Sequence, residues 1–181
     1  MRFDIKSRRI ELSAQEFATF RPGPGAGSGG APWRAEAGRQ WHETLRRQAE
    51  AEQDGWTFER AANCEVQALG WTLVVTGRAD QWRQVDGAVR IREVKTISQS
   101  LPRRSDQLTR RYPHHFLQLT LYCHAARLDP AVRAVQGEVI FVDLTSGEKQ
   151  AVPLPATAEA DLLKQAGLPD GVFNVVQGDK E

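Results

Sequence analysis

Cysteine is scarce in this chain. Cys64 and Cys123 are the only two, too few for a disulfide framework or a four-cysteine metal site. An excess of charge of one sign is also missing. The net charge is +1, so no global basic field announces a polyanion and any such footprint must be local. No run approaches the roughly 18 apolar residues of a membrane helix, and the stretch Met1 to Arg9 lacks the apolar segment of a signal peptide. A cytoplasmic protein without a membrane partner is the expectation. No G-x-x-x-x-G-K-[ST] occurs, which excludes a P-loop motor within this chain. Gly25-Ala-Gly27-Ser-Gly29-Gly30 formally contains G-x-G-x-x-G, but prolines flank it and no convincing strand precedes it, so it is set aside as a dinucleotide site.

What is present is ordinary for a globular protein: 181 residues, 40% hydrophobic and 26% charged, enough for one domain with a real core. Residues 2–12 alternate weakly, as a short strand would. Ser13-Ala-Gln-Glu16 is a capping box that opens a brief helix. Residues 21–32 form a flexible Gly/Pro loop, and 34–53 read as a helix ending before Gly55. Strands are expected at 57–69, 71–85 and 88–96, a polar basic stretch at 97–111, and a helix at 114–127. Strands at 137–144 and 149–153 follow, then a helix to about 166. The expected domain is 1–166, with 167–181 a poorly structured tail. The order predicts an α/β (α+β) fold, a mixed central sheet flanked by helices.

The segment Gly77-Arg-Ala-Asp80-Gln-Trp-Arg-Gln-Val-Asp86-Gly87-Ala-Val-Arg-Ile-Arg-Glu93-Val94-Lys95 carries the most information. Asp-Gly between alternating apolar and polar residues signals a two-residue type I′ hairpin. With Asp86 and Gly87 as the loop, Val85 faces Ala88, and counting outward brings Asp80 opposite Glu93, with Cβ atoms about 5 Å apart. Arg83, Arg90 and Arg92 fall on the other face, and a bulge is expected at Gly77, where the alternation shifts phase. Two opposed carboxylates destabilise a sheet unless something offsets their repulsion. A hard dication such as Mg²⁺ does so. Lys95, two residues beyond Glu93, shares its face and can orient a water or offset a developing charge. Taken alone, a D…E-x-K pattern is more often a solvated hairpin.

Other residues can join such a site. Gln118 and Tyr122 are spaced i, i+4 on one helix face, although each alone is more often a solvated amide and a packed phenol. His42 can complete a metal shell, or simply face solvent. Glu65 is a further carboxylate, read first as a strand-edge charge. Arg103, Arg104, Arg110 and Arg111, with Asp106 the one acid between them, suit a phosphate backbone as readily as they suit a solvated loop. Trp82 can stack on a base of a single strand. His114-His115 and Cys123-His124 do not match structural zinc spacing and are read as incidental.

Taken together, His42, Gly77-Arg-Ala-Asp80, Glu93-Val94-Lys95 and Gln118-x-x-x-Tyr122 resemble, in order and spacing, the RecB-like (Cas4-like) branch of the PD-(D/E)XK nucleases. The resemblance spans about residues 36–127. It implies a restriction-endonuclease-like core and a metal-dependent DNA nuclease. His42, Asp80, Glu93 and the Val94 carbonyl would be ligands of Mg²⁺ or Mn²⁺, Lys95 the catalytic lysine, and Gln118 with Tyr122 the helix pair beside the site. The iron–sulfur cluster of many Cas4-like proteins cannot be built from two cysteines. Ile10-Glu-Leu-Ser13 ahead of the Gly-rich loop also looks like nuclease domains fused to Rad3-type helicases. The expected activity is hydrolysis of DNA phosphodiester bonds, on single strands or DNA ends in repair or recombination. The alternative is a catalytically silent DNA-binding module attached to a helicase.

Overall fold

A computed structural model describes residues 1–19, 32–51, 55–68 and 70–158. The capping box forms as its spacing predicts. The Glu16 amide donates to the Ser13 hydroxyl at 3.1 Å, and the Ser13 amide donates to Glu16 Oε2 at 2.7 Å. That reciprocal cap starts helix α1 (Ala14–Thr19), which buries Ala14, Phe17 and Ala18. Helices α2 (Pro32–Ala51), α3 (Ser105–Arg111) and α4 (Pro113–Arg127) follow. Both α2 and α4 begin on proline, whose fixed φ suits a first helical turn.

The described strands are β1 (Arg2–Asp4), β2 (Arg9–Ser13), β3 (Thr57–Ala61), β4 (Cys64–Ala68), β5 (Trp71–Thr76), β6 (Arg78–Val85), β7 (Ala88–Ile97), β8 (Ala134–Asp143) and β9 (Lys149–Pro153). The mixed α+β architecture is as expected, but the strands divide between two sheets, ordered β1-β2-β5-β4 and β3-β6-β7-β8-β9. Each sheet is mixed, with one parallel pair: β2 with β5, and β7 with β8.

Two expected strands, 57–69 and 71–85, therefore each break in two. The chain changes sheets at both breaks, and the crossings lie side by side. The Ala62 amide donates to the Gly77 carbonyl at 3.0 Å, and the Gly77 amide donates to Asn63 Oδ1 at 3.2 Å. The bulge expected at Gly77 is this crossing.

The hairpin is as read. Asp86 and Gly87 have φ of 49° and 78°, the two left-handed residues of a type I′ turn. The register runs outward from Val85 with Ala88 to Gln81 with Arg92. Strict alternation then separates two faces. Trp82 and Ile91 enter the core, while Arg90 and Arg92 pair with Glu138 of β8. The core face of β7 and β8, with Ile91, Val139 and Phe141 fully buried, is covered by α4. The fit is close: a Cβ on Gly137 would stand 2.8 Å from Cys123 Sγ.

The basic stretch 97–111 is not all loop. Its second half is α3, because Leu108 finds burial and Asp106 in the first turn accepts from Arg110 one turn on. The expected Gly/Pro loop lies outside the described residues except at Pro32. The expected last helix lies outside them beyond Ala158, as does the whole tail 167–181.

Candidate metal centre and active site

Five elements deliver side chains to one place at the end of the β6–β7 ladder. Beyond Gln81 and Arg92, the next residues in line are Asp80 and Glu93, and there the pairing stops. The Val94 amide donates instead to Asp80 Oδ2 at 2.7 Å. The other Asp80 oxygen, Oδ1, lies 3.5 Å from His42 Nδ1 of α2. Helix α2 sits close on β7 here, since a Cβ on Gly38, one turn before His42, would be only 3.5 Å from Thr96 Oγ1.

Glu93 is the deepest member, its side chain 2% exposed. On the same row Ile91 precedes it and Ile97 follows Lys95, and both isoleucines are core residues, so Glu93 and Lys95 occupy positions the alternation would give to aliphatic side chains. Lys95 Nζ donates to Glu93 Oε1 at 2.6 Å and Gln118 Nε2 donates to the same oxygen at 2.8 Å. Gln118 also donates to the Tyr122 hydroxyl at 2.9 Å. The i, i+4 pair on α4 is thus one arm, in which Tyr122 steadies Gln118 and Gln118 fixes Glu93. The second carboxylate oxygen, Oε2, is buried with no hydrogen-bond partner among the described residues. An orphaned buried acceptor costs on the order of 1–3 kcal/mol, more when charged.

The charges follow from burial. Burial pushes the Asp80 carboxyl up to about 6 against the pull of Lys95 and the Val94 amide. It pushes Glu93 up to about 7, with Lys95 opposing and Asp80 adding. Burial alone would lower Lys95, but Glu93 and Asp80 hold it above the usual lysine range, so it stays an ammonium. Burial, then the charge of Lys95, lowers His42, which leaves a neutral imidazole able to ligate a metal. Tyr122 is raised by burial and by Glu93.

Sequence reasoning missed Glu59. Pairing of β3 with β6 joins Phe58 to Gln81 and Arg60 to Ala79; between them Glu59 takes a φ of 52°, a left-handed value uncommon for a residue with a side chain. Its carboxylate comes within 4.8 Å of ligand atoms of both His42 and Asp80. These three line a cleft of about 360 Å³ with Arg39, Arg46 and Phe58. An alternating strand pattern carries no mark of a non-glycine left-handed residue, so no signal in the sequence singled Glu59 out. Glu65, the carboxylate considered at the sequence level, lies on the other sheet, 3.5 Å from Arg9.

Two expectations for the nucleic-acid surface fare differently. Trp82 is 5% exposed and part of the core, with the Arg60 guanidinium 4.4 Å from its ring centroid, so it cannot receive a base. Arg103, Arg104, Arg110 and Arg111 are all exposed, with Arg104 and Arg110 both drawn to Asp106 and Arg111 set over the Tyr112 ring.

The donors suit a hard divalent cation. Two carboxylates and one imidazole, Glu59, Asp80 and His42, hold their ligand atoms within 4.8 Å of one another, a set of the kind that binds Mg²⁺ or Mn²⁺, and the charge of Asp80 is felt at the buried Glu93 carboxylate. The unpartnered Glu93 oxygen and the two carboxyls raised chiefly by burial mark acids short of compensating charge, which a dication would supply.

Comparison with known proteins agrees with this geometry. The model of the PD-(D/E)XK nuclease superfamily matches residues 5–175. No curated protein matches. Among solved structures, the crystal structure of SSO0001 is similar in fold, with a TM-score of 0.52 and 17% identity over 75% of this chain. The chain spans 58% of that protein's length. With D…E-x-K seated at the end of one hairpin and the family match running almost end to end, the chain belongs to the PD-(D/E)XK nuclease superfamily.

Proposed function

We propose that this chain is a metal-dependent deoxyribonuclease of the RecB-like (Cas4-like) branch, hydrolysing phosphodiester bonds of single-stranded DNA or DNA ends. The observation that carries this reading is the Glu93 carboxylate: one oxygen is fixed by Lys95 and Gln118, and the other is buried and unpartnered beside Asp80. Such an arrangement is costly for a scaffold and useful for holding a cation.

His42, Asp80, Glu93 and the Val94 carbonyl would hold Mg²⁺ or Mn²⁺, with Glu59 alongside. When bound, the cation supplies Lewis acidity toward a phosphoryl oxygen and lowers the pKa of a ligated water. The protein's own groups do the rest. Lys95, kept protonated by its two carboxylate neighbours, orients the attacking water and offsets charge on the phosphorane-like transition state. Gln118 and Tyr122 keep Glu93 from turning away. The exposed arginines around α3 guide the strand through salt-sensitive phosphate contacts. DNA is the partner in this reading, and a helicase is the protein partner that the N-terminal resemblance implies.

The test is cleavage of end-labelled single- and double-stranded DNA with Mg²⁺ or Mn²⁺. Activity is expected in wild type, none with EDTA, and at least a hundredfold less in Asp80→Ala and Lys95→Ala, the scale of losing a positioned catalytic group. Full activity in either variant refutes the assignment.

A further inference from the structure

We propose that the rings of Tyr112, His114 and His115, at the N-terminal end of α4, form a platform on which a base of the single strand stacks. This rests on the nuclease reading above and adds to it the surface that recognises an unpaired strand.

The platform is defined by ring geometry. Tyr112 and His115 are stacked, with centroids 5.7 Å apart and planes at 22°. His114 closes on His115 at 4.0 Å and meets Tyr112 edge-on at 6.4 Å. All three rings keep partial exposure. Beneath them lies Phe141, 5.6 Å from Tyr112 and 6.1 Å from His115. Phe141 is the β8 residue paired with Lys95, so the ring cluster stands one strand away from the catalytic lysine and on the same face. The spacing on α4 agrees: His115, Gln118 and Tyr122 recur at three and four residues, which puts all three on one helix face. The field of Lys95 reaches His115 and, after burial, helps to lower it to about 2. Its ring is therefore neutral near pH 7.

Core packing accounts for Tyr112 and Phe141. His115 packs on both of them, and His114 stands next to it with partial exposure. Four exposed arginines, at 103, 104, 110 and 111, precede α4 in the chain with Asp106 the one acid between them; two of them pair with Asp106, and the Arg111 guanidinium lies 5.7 Å from the Tyr112 ring centroid. A partner with negative charge and flat π-faces at short intervals fits both features. That is a nucleic-acid strand, and only an unpaired one presents its base faces. The platform takes the role that Trp82, being buried, cannot take.

The experiment is equilibrium binding in EDTA, so that no cleavage intervenes. The probes are a fluorescent single strand, a strand of equal length with abasic sugars, and a blunt duplex. Wild type is expected to bind the base-bearing strand about 5- to 150-fold more tightly than the abasic one, the equivalent of one stacked base. His114→Ala should erase most of that ratio without changing abasic affinity, and His114→Trp should restore or raise it. Arg111→Gln should weaken both strands equally and flatten the salt dependence by about 0.7 in log–log slope. Thermal melts confirm that each variant is folded; should His114→Ala not fold, the direction of change in His114→Trp decides. A wild-type protein with no base preference, or a His114→Ala variant that keeps it, overturns the platform. Cleavage with Mn²⁺ separates the two readings: a protein that cuts DNA without base preference loses only the platform, whereas one that cuts nothing loses the nuclease assignment.

Discussion

A methyl group on Gly77 would stand 2.5 Å from Tyr122 Cε1 and 2.8 Å from the Tyr122 hydroxyl. The crossing between the two sheets and the helix arm that fixes Glu93 are thus built against each other. Tyr122 has nowhere to retreat, being 2% exposed and tied through its hydroxyl to Gln118.

Gly77→Ala should therefore destabilise the fold by about 1–3 kcal/mol, the usual cost of an overpacked core. It should also lower activity beyond what the lost stability explains, because the displaced ring moves Gln118 and with it Glu93. Denaturation of Gly77→Ala, Tyr122→Phe and Tyr122→Leu, alone and combined, measures the coupling. Tyr122→Leu should relieve part of the clash and Tyr122→Phe should not; strict additivity of all the changes would contradict the contact.

The two buried carboxylates set a pH signature. Both have folded values above their ordinary ones, about 6 for Asp80 and about 7 for Glu93. The folded protein accordingly holds more protons than the unfolded chain between about pH 4 and 7, and stability contributed by these groups falls as pH rises through that window. Metal binding has the opposite sign, since ligands must be deprotonated. His42 and His115, both lowered by burial, pull the other way, so the carboxylates' share is read as a difference. From pH 5.5 to 8 the melting temperature in EDTA should fall more, or rise less, in wild type than in Asp80→Asn combined with Glu93→Gln, and the increment given by Mn²⁺ should grow with pH in wild type alone. Unchanged slopes in that double variant would remove the carboxylates as their cause.

Lys95 carries a structural duty that can be separated from catalysis. Lys95→Met leaves Glu93 with Gln118 as its one remaining donor, and breaking a buried pair costs about 3 kcal/mol or more. That loss should be largest near pH 8 and shrink by pH 6, where Glu93 takes up a proton. Adding Glu93→Gln should recover most of the stability and none of the activity. Urea titrations at the two pH values provide the comparison; an equal loss at both would place the effect elsewhere.

The hairpin, the capping box and the α4 pair were legible in the sequence because each depends on residues close along the chain. Asp86-Gly87 dictates the register from Val85 with Ala88 out to Gln81 with Arg92, one step short of the expected pairing of Asp80 with Glu93, and the i, i+4 spacing joins Gln118 to Tyr122. The division into two sheets was not legible. Residues 71–85 read as one strand because neither Gly77 nor Asn63 announces that each will bond to the other's segment. Trp82 was misjudged for a related reason: nearness to Asp80 along the chain does not say whether a strand face is a cleft or the core. Leu108 was passed over because one apolar residue among arginines is a weak helical signal until something buries it.

Glu59 offers the sharpest separation of function from stability. A residue with a side chain held at a φ of 52° bears a backbone cost of about 1–2 kcal/mol, and glycine adopts that conformation freely. Glu59→Gly should leave the metal-free melting temperature unchanged or raise it, because relief of strain offsets the added freedom of the unfolded chain. If the carboxylate beside His42 and Asp80 helps to hold the cation, the same variant should bind Mn²⁺ about tenfold more weakly, and the thermal increment should fall by the corresponding logarithm of affinity. Glu59→Asp should retain part of the increment, and Glu59→Gln should lose it without the gain in metal-free stability. A merely decorative Glu59 would give Glu59→Gly the same shift with and without manganese. Calorimetric titration of Mn²⁺ into the four proteins distinguishes these outcomes, because it reads ligation directly and does not depend on turnover.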